Sequence, residues 1–330
     1  TYTVVYDTSG QTLNIVYVDA TKGWVPLYDG TVTDVPSPNT QKAIFALGAD
    51  AGSPIYTSIT NLVSSAGVVA TDTAEVAGVT KRDSGGGAGY GEDKGIVFAG
   101  TTGSDTGVSN LISNAGVIAS DTAAVGSARQ GVQGATYGKD KGIFAFGYAS
   151  GSINTKNLVT SAGVMGSDAS GVGTGRLNAA GCSYGSDLAI FAFGSEAPGY
   201  TAVSNLVDNE GVVATDTAGV GTARGYNAGA RYGETKGIYA YGYTGVYTAV
   251  SNLVSDLGVI GTDVTGVGTA HGSMGAATYG GDKVIFGFGS TGARVSITNL
   301  VTNVGVVGTD VTGVGTARYG QSAVGYSLLT

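Results

Sequence analysis

Short apolar runs, each closed by glycine, punctuate the chain from residue 42 onward. They read Lys42-Ala43-Ile44-Phe45-Ala46-Leu47-Gly48, Ile96-Val97-Phe98-Ala99-Gly100, Ile143-Phe144-Ala145-Phe146-Gly147, Ile190-Phe191-Ala192-Phe193-Gly194, Ile238-Tyr239-Ala240-Tyr241-Gly242 and Ile285-Phe286-Gly287-Phe288-Gly289. Runs this brief cannot make a helix; bounded by glycine and rich in β-branched and aromatic residues, they predict buried strands. Their terminal glycines stand 52, 47, 47, 48 and 47 residues apart, so a single unit recurs six times.

Other columns keep the same register. Asn-Leu recurs at Asn61, Asn110, Asn157, Asn205, Asn252 and Asn299, and Gly-Val at Gly67, Gly116, Gly163, Gly211, Gly258 and Gly305. Aspartate follows at Asp72, Asp121, Asp168, Asp216, Asp263 and Asp310, then a basic residue at Arg82, Arg129, Arg176, Arg224, His271 and Arg318. A tyrosine completes the unit at Tyr90, Tyr137, Tyr184, Tyr232, Tyr279 and Tyr326. The Asn-Leu-Val segment running into Gly-Val predicts a second strand. The Gly-Val-Gly-Thr-Ala-Arg segment and the small-residue run before Tyr-Gly predict two more. Four short strands per unit of this length match one blade of a β-propeller.

The expected fold is therefore all-β, a six-bladed propeller over 42–330 with repeats near 42–93, 94–140, 141–187, 188–235, 236–282 and 283–330. Unjoined terminal blades would leave open strand edges. The segment from Arg318 to Leu329 matches the strand that precedes the apolar run elsewhere, so it is expected to pair beside Lys42–Gly48 and close the ring.

Residues 1–41 stand outside the repeat and are expected to form an attachment segment. Alternation at Tyr2, Val4 and Tyr6 and at Leu13, Ile15 and Tyr17, around Thr8-Ser9-Gly10-Gln11, predicts a hairpin. A stiff linker is expected at Val35-Pro36-Ser37-Pro38-Asn39-Thr40. A lone hairpin is marginal in water, so Tyr17 and Trp24, the only tryptophan, are candidate attachment residues for other proteins or for further copies of the chain. Residues 1–7 lack the basic and apolar regions of a signal peptide. Without an initiator methionine, a processed chain or a fragment is expected.

Composition narrows the function classes. Glycine supplies 59 residues and charged side chains only 12%, whereas about 25% charged is usual. Exposed helix faces need those charges, so a helix bundle is excluded. A net charge of −8 argues against nucleic acid, whose binding draws on basic residues. No apolar run approaches the roughly 20 residues of a membrane-spanning helix. One cysteine, Cys182, excludes an internal disulfide framework.

The order basic residue, small-residue strand, apolar-aromatic strand and glycine resembles the kelch repeat, a four-stranded propeller blade. One glycine stands where kelch units carry two, and no unit holds the kelch tryptophan. The segments Tyr-Gly-Lys-Asp-Lys-Gly-Ile-Phe-Ala-Phe-Gly (137–147) and Gly-Thr-Asp-Val-Thr-Gly-Val-Gly-Thr-Ala-Arg (308–318) resemble repeat proteins of tailed bacteriophages, marine and cyanobacterial ones especially. The leader Val16-Tyr17-Val18-Asp19-Ala20-Thr21-Lys22-Gly23-Trp24 is similar to phage tail-fibre-like proteins. The resemblance implies a virion location, a tail fibre or tail-associated appendage, other virion proteins as the partners of residues 1–41, and a homo-oligomer; three copies suit a fibre.

Candidate chemistry is sparse. His271 takes the place of an arginine and is expected to make the same structural contact. Cys182 sits in a small-residue column and is expected to be buried. The aspartate column is expected to close turns by accepting backbone N–H bonds, and the arginine column to bind an aspartate or a carbonyl between blades. No catalytic residue, metal ligand or cofactor is expected. Identity across six copies signals packing, so function is sought where the copies differ. The loops after the apolar strands vary and carry Tyr56, Tyr148, Tyr200, Tyr243 and Tyr247, candidates for binding a host-surface glycan or protein. A head decoration protein and a polysaccharide-acting enzyme remain the alternatives.

Overall fold

The computed structural model describes residues 15–21, 23–26, 41–52 and 55–327. The chain divides into two units, Thr1–Pro38 and Asn39–Thr330. Every regular element among the described residues is a strand, and all strand pairs are antiparallel.

In the first unit Ile15–Tyr17 pairs with Trp24–Pro26, Tyr17 opposite Trp24. Gly23, at φ 67°, lets the chain reverse, with the Val18 N–H donating to the Gly23 carbonyl. Ile15–Tyr17 thus has a downstream partner on one edge, while most of the hairpin expected between residues 2–6 and 13–17 lies outside the described residues. Residues 2–6 and the expected linker lie outside the described residues.

Among the described residues the second unit carries six three-stranded sheets of one design, with the apolar strand in the middle. The second sheet runs Gly86–Tyr90, Lys94–Thr101, Asp105–Ile112; the third Gln133–Tyr137, Lys141–Ala145, Lys156–Val159. The fourth runs Ala180–Tyr184, Leu188–Ala192, Ser204–Val207; the fifth Ala228–Tyr232, Lys236–Ala240, Ser251–Val254; the sixth Gly275–Tyr279, Lys283–Gly287, Thr298–Val301. The first joins both ends of the repeat region: Ser322–Tyr326 pairs with Lys42–Ala46, which pairs with Thr60–Val63. Each sequence repeat therefore lends its small-residue strand to the following sheet.

Three strands per sheet, rather than four, follow from the glycines. The run after Gly-Val touches the Asn-Leu strand only through single bridges such as Val63↔Val69 and Thr60↔Thr73. The Gly-Val-Gly-Thr-Ala-Arg segment is irregular: Gly173, Gly221, Gly268 and Gly315 adopt φ between 78° and 91°, a left-handed conformation that ends a strand.

The core lies between sheets. Six buried clusters each draw side chains from two consecutive sheets, and one combines Ala43 and Phe45 of the first with Ala277 and Ile285 of the sixth. Each buried Phe or Ile contributes about 1.5–3 kcal/mol. Backbone hydrogen bonds join all six sheets in turn. Ser84 donates its N–H to the Gly320 carbonyl, Gly320 to Ser273, Ser273 to Tyr226, Tyr226 to Asn178, Asn178 to Gly131 and Gly131 to Ser84, at 2.8–3.1 Å. At the opposite strand ends a second cycle runs from Gly91 to Asp140, Gly138 to Asp187, Gly185 to Thr235, Gly233 to Asp282, Gly280 to Gln41 and Ser327 to Asp93.

The repeated columns wire one sheet to the next. Fully buried Arg176 leaves the third sheet and donates from Nε to the Phe193 carbonyl (2.8 Å) and from Nη2 to Asn205 Oδ1 (2.7 Å), both of the fourth. Its guanidinium lies 3.8 Å from the centre of the Phe146 ring behind it, a desolvated cation–π contact. Asn205 Nδ2 donates to Asp216 Oδ1, and Asp216 Oδ2 accepts from the Thr174 hydroxyl and N–H, closing the circuit. Burial alone would raise the Asp216 carboxyl; the Thr174 hydroxyl, the Asn205 amide and the Thr174 N–H outweigh it and hold it low. The aspartates thus clamp the preceding linker rather than their own turn, and the arginines reach asparagine and carbonyl oxygens. An ion pair within the columns forms, among the described residues, at Arg129–Asp168, 3.6 Å. Cys182 is buried as expected, its thiol pushed up to about 12 by desolvation.

Candidate functional site

Each apolar strand ends in a left-handed residue followed by glycine, a pair that turns the chain outward. At Tyr241 (φ 62°) and Gly242 (φ 117°) this delivers Tyr243 to the neighbouring linker, where it exchanges both backbone hydrogen bonds with Gly225. Tyr243 also bridges Tyr247 across its own loop, which Gly245 (φ 112°) tightens. In the fourth sheet the corresponding loop forms a small hairpin, Ser195–Glu196 with Gly199–Tyr200, so that Tyr200 lies opposite Ser195.

These loops bring three of the expected tyrosines together. The Tyr200 and Tyr243 rings stand 6.1 Å apart edge to face, and those of Tyr243 and Tyr247 5.0 Å apart. The Tyr247 hydroxyl donates to Ser290 Oγ at 3.1 Å, fixing that ring against the sixth sheet. Glycines make the floor: a Cβ on Gly225 would press on the Tyr200 ring at 3.2 Å, and one on Gly272 would press on Tyr247 at 3.3 Å. The rings are half-buried, so one edge packs and the other meets solvent.

Tyr226 completes the patch and was not among the expected residues. It belongs to the six-membered hydrogen-bond cycle, where the equivalent positions are Ser84, Gly131, Asn178, Ser273 and Gly320. Its ring is 38% exposed. Burial raises its phenol, and the neighbouring Tyr247 and Tyr243 phenols add to the effect while Asn178 opposes it. The signal that would have found it is a lone aromatic in a column of small and polar residues, within a linker instead of a loop.

The other two expected tyrosines lie elsewhere. Tyr148, 38% exposed, pairs through its backbone with Gln130 and Ser152, and among the described residues its ring stacks on no other aromatic. Tyr56 bridges Ala49, and its phenol is raised by burial and then by Asp83 and Tyr319. Beside it Arg294 lies 5.2 Å from the centre of the Tyr319 ring and donates from Nε to the Ala49 carbonyl. Arg294 and Tyr319 were not among the expected residues either: Tyr319 lies in a linker, and Arg294 holds in the sixth sheet's loop the place that Tyr247 holds in the fifth.

In the first unit Tyr17 and Trp24 meet edge to face at 5.5 Å, and both are exposed, 52% and 66%. Among the described residues no group of three or more His, Cys, Asp or Glu side chains gathers. Arranged this way, the tyrosine patch offers flat apolar area edged with hydroxyls, a surface for stacking and hydrogen bonding. Compared with models of known protein families and with curated protein sequences, the chain matches none.

Proposed function

We propose that the six sheets are the blades of a closed, kelch-like β-propeller, and that the molecule is a non-enzymatic recognition protein of a tailed-bacteriophage virion. The ring is supported by the two hydrogen-bond cycles and by the core cluster that joins the first and sixth sheets. The resemblance of the repeat and leader to phage tail-fibre-like proteins supports the virion location. Residues 1–41 carry the attachment, supported by the exposed Tyr17–Trp24 pair.

The observation that carries the recognition reading is the gathering of Tyr200, Tyr226, Tyr243 and Tyr247 at one place on an otherwise repetitive scaffold. Packing repeats in all six copies, whereas this patch occurs at one. Two-torsion aromatic side chains bind at low entropic cost, and sugar rings present C–H faces that stack on them while their hydroxyls meet phenols. The partner is accordingly a host-surface glycan, or a protein offering similar polar-apolar relief.

The test is binding of the fluorescently labelled protein to arrayed bacterial surface polysaccharides and to intact bacterial cells. Tyr243→Ala with Tyr247→Ala is expected to weaken retention at least about tenfold, since truncated aromatic hot spots cost about 2 kcal/mol or more. Tyr148→Ala, outside the patch, is expected to change little. Equal binding by all variants would overturn the assignment of the patch.

A further inference from the structure

The small-residue strands of all six sheets line a cavity of about 120 Å³. Glu92, Lys139 and Ser186, exposed turn residues, stand at its mouth. Deeper in, the strands converge: a Cβ on Gly87 would collide with the Ala323 carbonyl, and one on Gly134 with the Gly87 carbonyl.

One column of this lining departs from the repeat. The residue before the column tyrosine is Gly89, Thr136, Ser183, Arg231, Thr278 or Gly325. The hydroxyls here satisfy strand edges that no ladder reaches. Thr136 Oγ1 accepts from the Gly89 N–H (2.9 Å), Ser183 Oγ donates to the Thr136 carbonyl (2.7 Å), and Thr278 Oγ1 donates to the Arg231 carbonyl (2.8 Å). Glycine, serine or threonine meets the packing need, and arginine exceeds it.

Arg231 lines the cavity, half-buried. Among the described residues its guanidinium donates no hydrogen bond and no carboxylate stands within 4.0 Å of it. The acid that acts on it electrostatically is Glu234, an exposed turn residue. The other cations of the lining are placed differently: Lys94 is held by Asp93 at 2.6 Å, and Lys139 stands in a turn. A partly desolvated guanidinium without a counter-ion is costly, and its planar fork matches a carboxylate through two parallel hydrogen bonds.

We propose that this cavity is a binding site for a carboxylate group, with Arg231 as the residue that receives it. Its volume of about 120 Å³, where one water needs about 10–15 Å³ on the same measure, admits a small carboxylate group. The ligand is thus a small free carboxylate, or the carboxylate of an acidic sugar whose remainder projects past the turns. The site is separate from the tyrosine patch, and either reading stands without the other.

Thermal melting and titration calorimetry at constant ionic strength test this with acetate, a glucuronate-terminated oligosaccharide and its neutral glucose counterpart. A melting temperature that rises and saturates with acetate identifies a free carboxylate; saturation with the glucuronate ligand alone identifies an acidic glycan. Arg231→Thr, which installs the residue of the equivalent positions 136 and 278, is expected to fold normally and lose the saturable shift. Arg231→Lys keeps the charge without the fork and is expected to bind at least about tenfold more weakly. The proposal is overturned by no saturable effect of either carboxylate on the wild type, by an equal effect on Arg231→Thr, or by an equal response to the neutral sugar.

Discussion

His271 is one of two weak points in a repeated circuit; in the other, Arg318 Nη2 and Asn61 Oδ1 are buried without a protein partner. At five positions a buried arginine reaches the carbonyl before the column glycine through Nε; in the Arg82, Arg129, Arg176 and Arg224 copies Nη2 also meets the asparagine oxygen. The shorter imidazole stacks 4.3 Å from the Tyr241 ring and meets the Thr269 carbonyl through Nδ1. His271 Nε2 and Asn299 Oδ1 are left buried with no protein partner. His271→Arg is therefore expected to stabilise the fold by about 1.5–3 kcal/mol, the worth of a hydrogen bond to a charged group. Burial holds the imidazole below its ordinary value of 6.5, outweighing the Thr269 carbonyl and Asp310. As pH falls through 6.5 the unfolded chain takes up that proton before the native one does, so the wild type loses stability on acidification. The variant lacks this loss, and its advantage in denaturant melts should widen from about pH 8 to about pH 5. Stability of the variant equal to or below that of the wild type at both pH values would contradict this account of the circuit.

Elements are held in register by a glycine–tyrosine contact that neither column explains alone. The Tyr137 ring lies where a Cβ on Gly211 would stand, 2.9 Å from Cζ, and Gly211 itself adopts φ 82°. The same pairing recurs as Tyr90 with Gly163 and Tyr326 with Gly116. Gly211→Ala must therefore both strain the backbone, at about 1–2 kcal/mol, and displace a packed ring, at about 1–3 kcal/mol. Gly199→Ala, with nothing within 4 Å of its Cβ position, should stay within about 0.5 kcal/mol of wild type. Equilibrium urea unfolding of the two variants separates these outcomes, and equal values would remove the contact from the explanation. The apolar and Asn-Leu strands were legible in the sequence because run length, β-branching and flanking glycine are local signals. The Gly-Val-Gly-Thr-Ala-Arg segment reads as a strand by the same signals yet is irregular, because Thr174 and its equivalents are drawn to an aspartate of the neighbouring sheet.

At the scale of the molecule, the C-terminal segment ties the repeat region to its own beginning. Ser322–Tyr326 supplies a strand to Lys42–Ala46, Arg318 binds the Leu47 carbonyl, Thr316 binds Asp72, and Gly320 is a member of one hydrogen-bond cycle. Deleting residues 316–330 opens both edges at once, so calorimetry should show the cooperative transition lost or lowered by more than about 10 °C, given roughly 2–4 °C per kcal/mol for a chain of this order. An unaltered transition would sink the proposed closed ring, because an open array tolerates the loss of an end unit.

Period, turn residues and strand composition are properties of neighbouring residues, and they were enough to establish the repeat, its six copies, three of the four strands expected in each and the partner of the C-terminal strand from the sequence alone. Which side chains meet between copies was decided only in the tertiary structure. Asn205 joining Arg176 to Asp216, Tyr226 entering the tyrosine patch and Arg231 reaching the cavity between the small-residue strands all depend on distances across sheets. Those distances are set by core packing and glycine-permitted close approach, and no local pattern along the chain encodes them.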